Sequence, residues 1–246
     1  SMLAKLPAAS SATSAGLVTQ WKSSFASAGR RIKKLEGFEV PTQVNYVAKG
    51  GNIMPTGSPV SGADAVVTRY LSTGYLWDHV RVLGGAYGGF ARFSEISGRF
   101  TFLSYRDPNV VDTLNVYDQS ATVLKDAQIT DDELTQTVIG AIADIDRPLN
   151  PDQKGWSSMT RFLTGETDSD RQHWREQILA TSHKDFKTFA EKLEVLRDQG
   201  SIVVFGSKQA LKQANEQLPD DSKLVIEQAL PAEVEVKTSN PGSAEL

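Results

Sequence analysis

Apolar and polar positions alternate with a period of two in several short stretches of the chain, and this pattern predicts β-strands. The predicted strands are residues 42–48, 90–93, 100–103, 201–205 and 224–230. Gly50-Gly51 interrupts the alternation and is expected to end the first strand. Residues 94–98 join the second and third strands as the turn of a hairpin, so part of the sheet is expected to be antiparallel.

Helical periodicity and capping residues predict helices between these strands. Ser61 can cap a helix that carries Val66, Val67, Tyr70 and Leu71 on one side, and a second helical piece, 75–82, ends at Gly84-Gly85. Asp107-Pro108 suits a helix opening, with Asp as the N-cap and Pro at the first helical position, and this helix would run to about residue 125. Further helix starts are predicted at Thr130 with Glu133, Thr167 with Asp170, Ser182 with Asp185, and Ser207.

The order of these elements predicts an α+β domain with a mixed, largely antiparallel sheet and helices packed on one face. We divide the chain into a basic Ser- and Ala-rich linker at 1–37, the domain at 38–232 and a polar tail at 233–246. The first 35 residues carry six Lys or Arg and no acid. Such a segment resembles an organellar transit peptide, but a linker with a short helix at 17–28 is favoured, because Ser1-Met2 is typical of a cleaved tag.

The composition excludes several function classes. The chain has 26 Lys+Arg, 30 Asp+Glu and no Cys, which excludes disulfides and thiolate chemistry. The mild excess of acid disfavours nucleic acid as a partner. No stretch approaches the run of about 18 apolar residues that crosses a bilayer, so no membrane partner is expected.

Catalytic motifs are missing from the sequence as well. The nearest approach to a zinc peptidase motif is His173 with Glu176, but Gln177 stands where His-x-x-Glu-His requires the second His, so a surface helix explains the match better. No Gly-x-Ser-x-Gly elbow and no Walker loop are present.

A glycine-rich segment, residues 84–89, is the most unusual local feature. Four glycines in six residues allow a close approach to another strand or to a ligand, with Arg81 just before the segment and Tyr87 inside it. From these residues alone, a tight bend leading into the hairpin is the favoured interpretation. The predicted helix start explains the segment 105–108 in the same way, without any functional role.

Several longer segments change this interpretation. They are residues 42–47, 76–78, 81–89, 102–109, 154–155 and 182–186. Together they resemble the presequence protease and falcilysin branch of the pitrilysin/insulinase family of zinc metallopeptidases. The similarity extends from about residue 37 to 230 and is closest to plant and protist members.

This resemblance implies a fragment of a longer enzyme. Family members of this branch contain four similar α+β domains in two halves that close around a peptide, and the zinc motif lies in the first domain. This chain resembles the fourth domain, so zinc is expected in the full-length enzyme and none in this fragment. The expected partners are the N-terminal half of the same polypeptide and unstructured peptides, such as cleaved presequences and transit peptides, and the expected location is the mitochondrial matrix or a plastid, with another organelle as an alternative.

The resemblance also assigns residues. It implies that Arg81 and Tyr87 reach the active site of the other half, with Gly84, Gly85, Gly88 and Gly89 in the expected substrate-binding places. A Tyr hydroxyl can donate to a forming oxyanion, and an Arg can bind peptide carbonyls or a carboxylate. The alternatives are a non-catalytic scaffold, as in subunits of respiratory complexes with this fold, and an independent peptide-binding module.

Overall fold

A single sheet organises the chain in a computed structural model, which describes residues 34–54, 60–94 and 97–229. Within these residues the strands are β1 (Leu35–Glu39), β2 (Tyr46–Asn52), β3 (Gly88–Ser94), β4 (Arg99–Tyr105), β5 (Ser201–Gly206) and β6 (Val225–Gln228). They lie in the order β3-β4-β2-β5-β1-β6. β1 runs parallel to β5 and β6, and the other neighbouring strands are antiparallel. The mixed, largely antiparallel sheet of an α+β domain is thus confirmed.

Two predictions about the first strands are wrong. β2 begins at Tyr46 and continues through Gly50 and Gly51, which pair with β4. Gly50 fits because the Thr101 hydroxyl of β4 would lie only 2.8 Å from a Cβ at this position. β1 starts at Leu35, inside the segment interpreted as a linker, and its pairing with a parallel strand on each side outweighs its poor strand composition. The remaining linker, with its predicted helix, and the polar tail lie outside the described residues.

Seven helices connect and cover these strands in the described part of the chain. They are α1 (Gly62–Tyr70, extended by π-helical turns at Leu71–Tyr75 and Trp77–Leu83), α2 (Val111–Asp126), α3 (Asp131–Ile145), α4 (Pro151–Thr164), α5 (Asp168–Leu179), α6 (His183–Gln199) and α7 (Lys208–Gln217). The capping boxes predicted at Thr130, Thr167 and Ser182 are present, and Ser61 and Ser207 cap α1 and α7. None of these helices is both long and apolar enough to cross a membrane.

The start of α2 differs from the prediction. Asp107 and Pro108 do not open the helix, which begins at Val111. The backbone of Asp107 instead pairs with Asn45 in an isolated bridge, and its carboxylate accepts hydrogen bonds from the Asn109 backbone N–H (2.9 Å) and the Thr113 hydroxyl (2.7 Å). Because Asp107 pairs with the sheet, the helix begins about one turn later in the chain than predicted.

The two faces of the sheet have different environments. Val47, Phe100, Phe102 and Val204 are at most 1% exposed on the face that the helices cover, where Phe102 stacks on Tyr117 of α2. We call this the covered face. The opposite face, which we call the open face, carries aromatic side chains that are half-buried or exposed. They are Phe38, Tyr46, Phe90, Tyr105 and Phe205.

Candidate functional site

The candidate site lies where α1 ends and β3 begins. Gly85 has φ +77°, and its N–H bonds to the Arg81 carbonyl while the Ala86 N–H bonds to the Val80 carbonyl. This is a glycine-terminated helix end, which requires the left-handed conformation that other residues adopt at a cost. A Cβ on Gly84 would lie 2.6 Å from the Val80 carbonyl oxygen, so this position also favours glycine.

Arg81 lies in the last π-helical turn and packs against two aromatic rings. Its guanidinium carbon is 4.2 Å from the centroid of the Trp77 ring and 5.5 Å from that of Tyr87. Such contacts attract a cation to the ring face. Within the described residues Arg81 has no carboxylate partner, so its donors remain available to a ligand.

Tyr87 is held by its backbone and presents its side chain to solvent. Its N–H bonds to the Tyr105 carbonyl at 3.0 Å, and its ring contacts the Tyr105 ring edge-to-face at 5.8 Å. The residue is 64% exposed. The structure therefore brings together Arg81 and Tyr87, the two residues that the sequence singled out.

The other two predicted glycines have structural reasons of their own. A Cβ on Gly89 would lie 2.8 Å from the Val80 Cβ, so this glycine lets β3 pack closely against α1. A Cβ on Gly88 would meet the ring of Phe90. Of the four glycines, Gly85 borders the pocket described below, and contact of any of them with substrate stays a prediction.

A buried polar network holds this corner to the body of the domain. The Asn109 side-chain amide donates to the Gly84 carbonyl at 2.6 Å, and the Asn109 backbone N–H bonds to Asp107. Asn45 donates to the Asp107 carbonyl through both its backbone and its side chain. Burial raises the pKa of the Asp107 carboxyl, partly offset by the hydrogen bonds it accepts.

A pocket of about 380 Å³ opens beside Arg81 and Tyr87. It is lined by Val44, Arg81, Val82, Gly85, Ala86, Tyr87 and Arg106. Two of these side chains are cations and none is an acid. The electrostatics of the pocket therefore favour an anionic or carbonyl-bearing ligand.

An aromatic row leads from this pocket across the open face. Tyr87 contacts Tyr105, and Tyr105 contacts Tyr46 with ring centroids 5.5 Å apart. Tyr46 pairs in register with Phe205, whose ring stacks on Phe38 at 5.1 Å. The row crosses strands β4, β2, β5 and β1, and it offers an apolar surface to a ligand.

The described residues do not fit a zinc site. They contain no group of three or more His, Asp or Glu placed to hold a metal ion. The three histidines lie apart: the ring of His79 packs on Tyr75, His173 contacts Gln177, and His183 lies 2.9 Å from the Ile129 carbonyl oxygen. Gln177, which breaks the zinc motif, accepts a hydrogen bond from the Gly62 N–H.

Sequence reasoning missed three residues at this site. Trp77 lies one helical turn before Arg81, a spacing that could have revealed the ring contact. Arg106 was attributed to a helix start and Asn109 fell inside the predicted helix, and only the pairing of Asp107 with Asn45 brings them to the site. No local pattern signals that long-range contact.

Comparison with known proteins gives consistent relationships. A family model described as the PreP C-terminal domain matches residues 35–208. The chain is 46% identical over 202 residues to Presequence protease 1, chloroplastic/mitochondrial, of Arabidopsis thaliana, covering 82% of this chain and 18% of that protein. It is 37% identical over 194 residues to Protein HypA of Clostridium perfringens, covering 79% of this chain and 20% of that protein. The chain thus spans about a fifth of the length of these curated relatives.

Solved structures share the fold at low sequence identity. The crystal structure of pitrilysin matches 80% of this chain and 22% of its own with a TM-score of 0.57 at 14% identity. A peptidase M16 inactive domain from Pseudomonas fluorescens matches 71% of this chain and 44% of its own, with a TM-score of 0.56 at 20% identity. At these identities the likeness concerns the fold alone.

Proposed function

The chain belongs to the PreP C-terminal domain family, within the M16 peptidases of the pitrilysin type, and on that premise we propose that it encloses the substrate of a zinc metalloendopeptidase. In this proposal the chain is one part of a longer protein. Its partner is the N-terminal half of the same polypeptide, and its substrates are short unstructured peptides such as cleaved presequences.

The observation that carries the proposal is the contact of Arg81 with Tyr87 at one end of the open aromatic face. Arg81 packs on Trp77 and Tyr87, and the exposed Tyr87 ring continues into the row formed with Tyr105 and Tyr46. A non-catalytic scaffold has no need of an unpaired arginine and an exposed tyrosine at this position. An extended peptide needs both hydrogen-bond donors and apolar surface.

The chemistry assigned to these side chains is transition-state stabilisation. The Tyr87 hydroxyl donates a hydrogen bond to the oxyanion that forms when the scissile carbonyl is attacked, and the Arg81 guanidinium binds a neighbouring peptide carbonyl. One such donor typically lowers the barrier by about 2.7–4 kcal/mol. The stacking of Arg81 on Trp77 holds the guanidinium in place before the substrate arrives.

Zinc enters this proposal only through the rest of the longer protein. Because the described residues do not fit a metal site, the ion and its ligands are assigned to the N-terminal half, where zinc would supply the activated water. An organellar location is proposed from the names of the plant and mouse relatives, which are chloroplastic or mitochondrial, although the clostridial relative shows that the domain also occurs in a bacterium.

Peptide cleavage tests the proposal. An unstructured peptide is incubated with the 246-residue chain alone, and with a full-length protein that joins this chain to its N-terminal half. Tyr87→Phe is expected to lower kcat of the full-length protein by about 10²–10³-fold with little change in KM. Tyr105→Phe is the matched control, because it removes a hydroxyl from the neighbouring ring, and it should leave kcat unchanged.

The outcomes separate the candidate functions. Inactivity of the chain alone, with a loss specific to Tyr87→Phe in the full-length protein, supports the half-site proposal. An equal loss in both variants would assign Tyr87 to packing. A full-length protein that neither binds nor cleaves a peptide would favour the scaffold, whereas a full-length protein that binds a peptide without cleaving it would favour an independent peptide-binding module.

A further inference from the structure

Arg106 occupies an unusual backbone position. Its φ is +50°, which makes it the one non-glycine residue with positive φ in the described part of the chain. The left-handed region is uncommon for a residue such as Arg and is a reason to ask what holds it there.

The strand register explains the conformation. β2 and β4 pair Ala48 with Leu103, and continuing this register would bring Asn45 opposite Arg106. Asn45 instead bridges Asp107, so Arg106 is one extra residue on β4, which is the arrangement of a β-bulge. Bulges redirect side chains and often lie beside functional sites.

The residues on both sides of Arg106 are fixed. The Tyr105 carbonyl accepts the Tyr87 N–H at 3.0 Å. Asp107 exchanges two backbone hydrogen bonds with Asn45, at 2.7 and 2.8 Å, and is completely buried. The bulge is therefore held by its neighbours and does not depend on the Arg106 side chain.

The bulge turns Arg106 toward the pocket that also contains Arg81 and Tyr87. Arg106 is exposed, and like Arg81 it has no carboxylate partner within the described ranges. Two unpaired guanidinium groups around one pocket without an acid form a site suited to a carboxylate, which can accept hydrogen bonds from both.

We propose that the pocket formed by Arg81, Arg106 and Tyr87 binds a carboxylate of the substrate peptide and that Arg106 sets this preference. The inference rests on the proposed function, because it names the part of the peptide that occupies this end of the site. The carboxylate comes from the C-terminus of the peptide or from an Asp or Glu side chain. Peptides with such a group next to the site are bound more tightly than their neutral counterparts.

Side-chain NMR of the 246-residue chain tests the inference. The Nε–Hε signals of Arg81 and Arg106 are followed during titration with three peptides of the same neutral sequence: one with a free C-terminus, one amidated, and one amidated with a single Glu. We expect saturable shifts of both signals and at least tenfold tighter binding for a peptide with a carboxylate than for the neutral amide. Comparison of the first and third peptides identifies the source of the carboxylate.

Three variants make the test specific to Arg106. Arg106→Gln should abolish the preference, and so should Arg106→Gly, which suits the positive φ and thus keeps the bulge. Arg99→Gln, at the far end of the same strand, is the matched control and should retain the full preference.

Three results would overturn the inference. The first is equal binding of all three peptides with shifts at Arg81, which would leave peptide binding at the proposed site but no carboxylate pocket. The second is a preference that survives Arg106→Gln, and the third is an Arg106 signal that no peptide shifts. The proposed function is decided separately, because the cleavage experiment with Tyr87→Phe does not depend on Arg106.

Discussion

Both faces of the sheet carry aromatic side chains, but the two faces differ in what covers them. On the covered face Phe100 contacts Phe102 and Phe189, and Phe102 stacks on Tyr117. On the open face Phe38, Phe205, Tyr46 and Tyr105 form a row that no helix of the described chain covers. Strand alternation requires side chains on both faces but does not require both sets to be aromatic.

The difference in exposure shows which aromatic side chains contribute most to the stability of the fold. The covered face forms the core, whose buried side chains provide most of the hydrophobic stabilisation. The open face leaves Phe205 and Tyr105 about 40% exposed, so its aromatic side chains gain less from folding. A surface of this kind, ending at Arg81 and Tyr87, fits the binding of an extended peptide better than it fits a role in stability.

Truncating one phenylalanine on each face should give the largest difference in the free energy of unfolding between the two faces. Phe102→Ala should lower the free energy of unfolding by about 3–5 kcal/mol, because it leaves a cavity between the sheet and α2. Phe205→Ala should cost about 1 kcal/mol, since the ring is already 40% exposed. Urea denaturation of both variants measures the difference, and equal losses would mean that the open face is part of the core.

The adjacent residues Gly88 and Gly89 point to opposite faces of the sheet, and replacing them should change stability by smaller amounts. Gly89→Ala places a methyl group 2.8 Å from the Val80 Cβ and should cost about 1–3 kcal/mol, because α1 and β3 must separate. Gly88→Ala is its matched control on the open face, where the methyl group meets the movable ring of Phe90, and should cost less. Thermal unfolding distinguishes them, and a reversed order would contradict the packing described for this corner.

Arg106→Gly should change stability in the opposite direction. Glycine adopts the positive φ of the bulge without the steric cost that Arg pays, so we expect a gain of about 1 kcal/mol. The same variant should lose the carboxylate preference. A loss of stability in denaturant would show that the Arg106 side chain itself holds the bulge.

The smallest effect at neutral pH is expected for Asp107→Asn. Its amide oxygen can still accept the Asn109 N–H, and its NH2 group can donate to the Thr113 hydroxyl oxygen in place of the hydrogen bond that Asp107 accepts from that hydroxyl. The pKa of Asp107 is raised above its ordinary value of 3.8 by burial. The folded state therefore binds the proton more readily than the unfolded state, and the wild type should gain stability relative to the variant as the pH falls through the raised pKa. Below 3.8 the difference should become constant. Urea titrations at several pH values check this, and a parallel pH dependence of both proteins would contradict it.

Local patterns predicted much of the fold. The hairpin, β5 and the capping boxes at Thr130, Thr167 and Ser182 depend on residues close in sequence, and the structure confirms them. β1 was missed because its pairing with β5 and β6 joins segments about 170 and about 190 residues apart. The extension of β2 through Gly50 and Gly51 was missed because the partner strand supplies the reason for it.

The residues of the candidate site also differ in whether the sequence could reveal them. Arg81 and Tyr87 were found through the family resemblance, since the glycine-rich segment alone favoured a bend. Arg106 could not be found, because its position depends on the bridge between Asn45 and Asp107, which are 62 residues apart. A positive φ at an arginine is not encoded in any local pattern.

Binding of a spin-labelled peptide shows whether the open face and its Arg81–Tyr87 end receive an extended peptide. An unstructured peptide carrying a nitroxide is added to the 246-residue chain, and paramagnetic broadening of assigned side-chain signals is measured on both faces. We expect broadening at Tyr87, Tyr46 and Phe205, with the signals of the α2 and α6 surfaces unaffected. Broadening confined to the helices, or spread evenly over the surface, would contradict it.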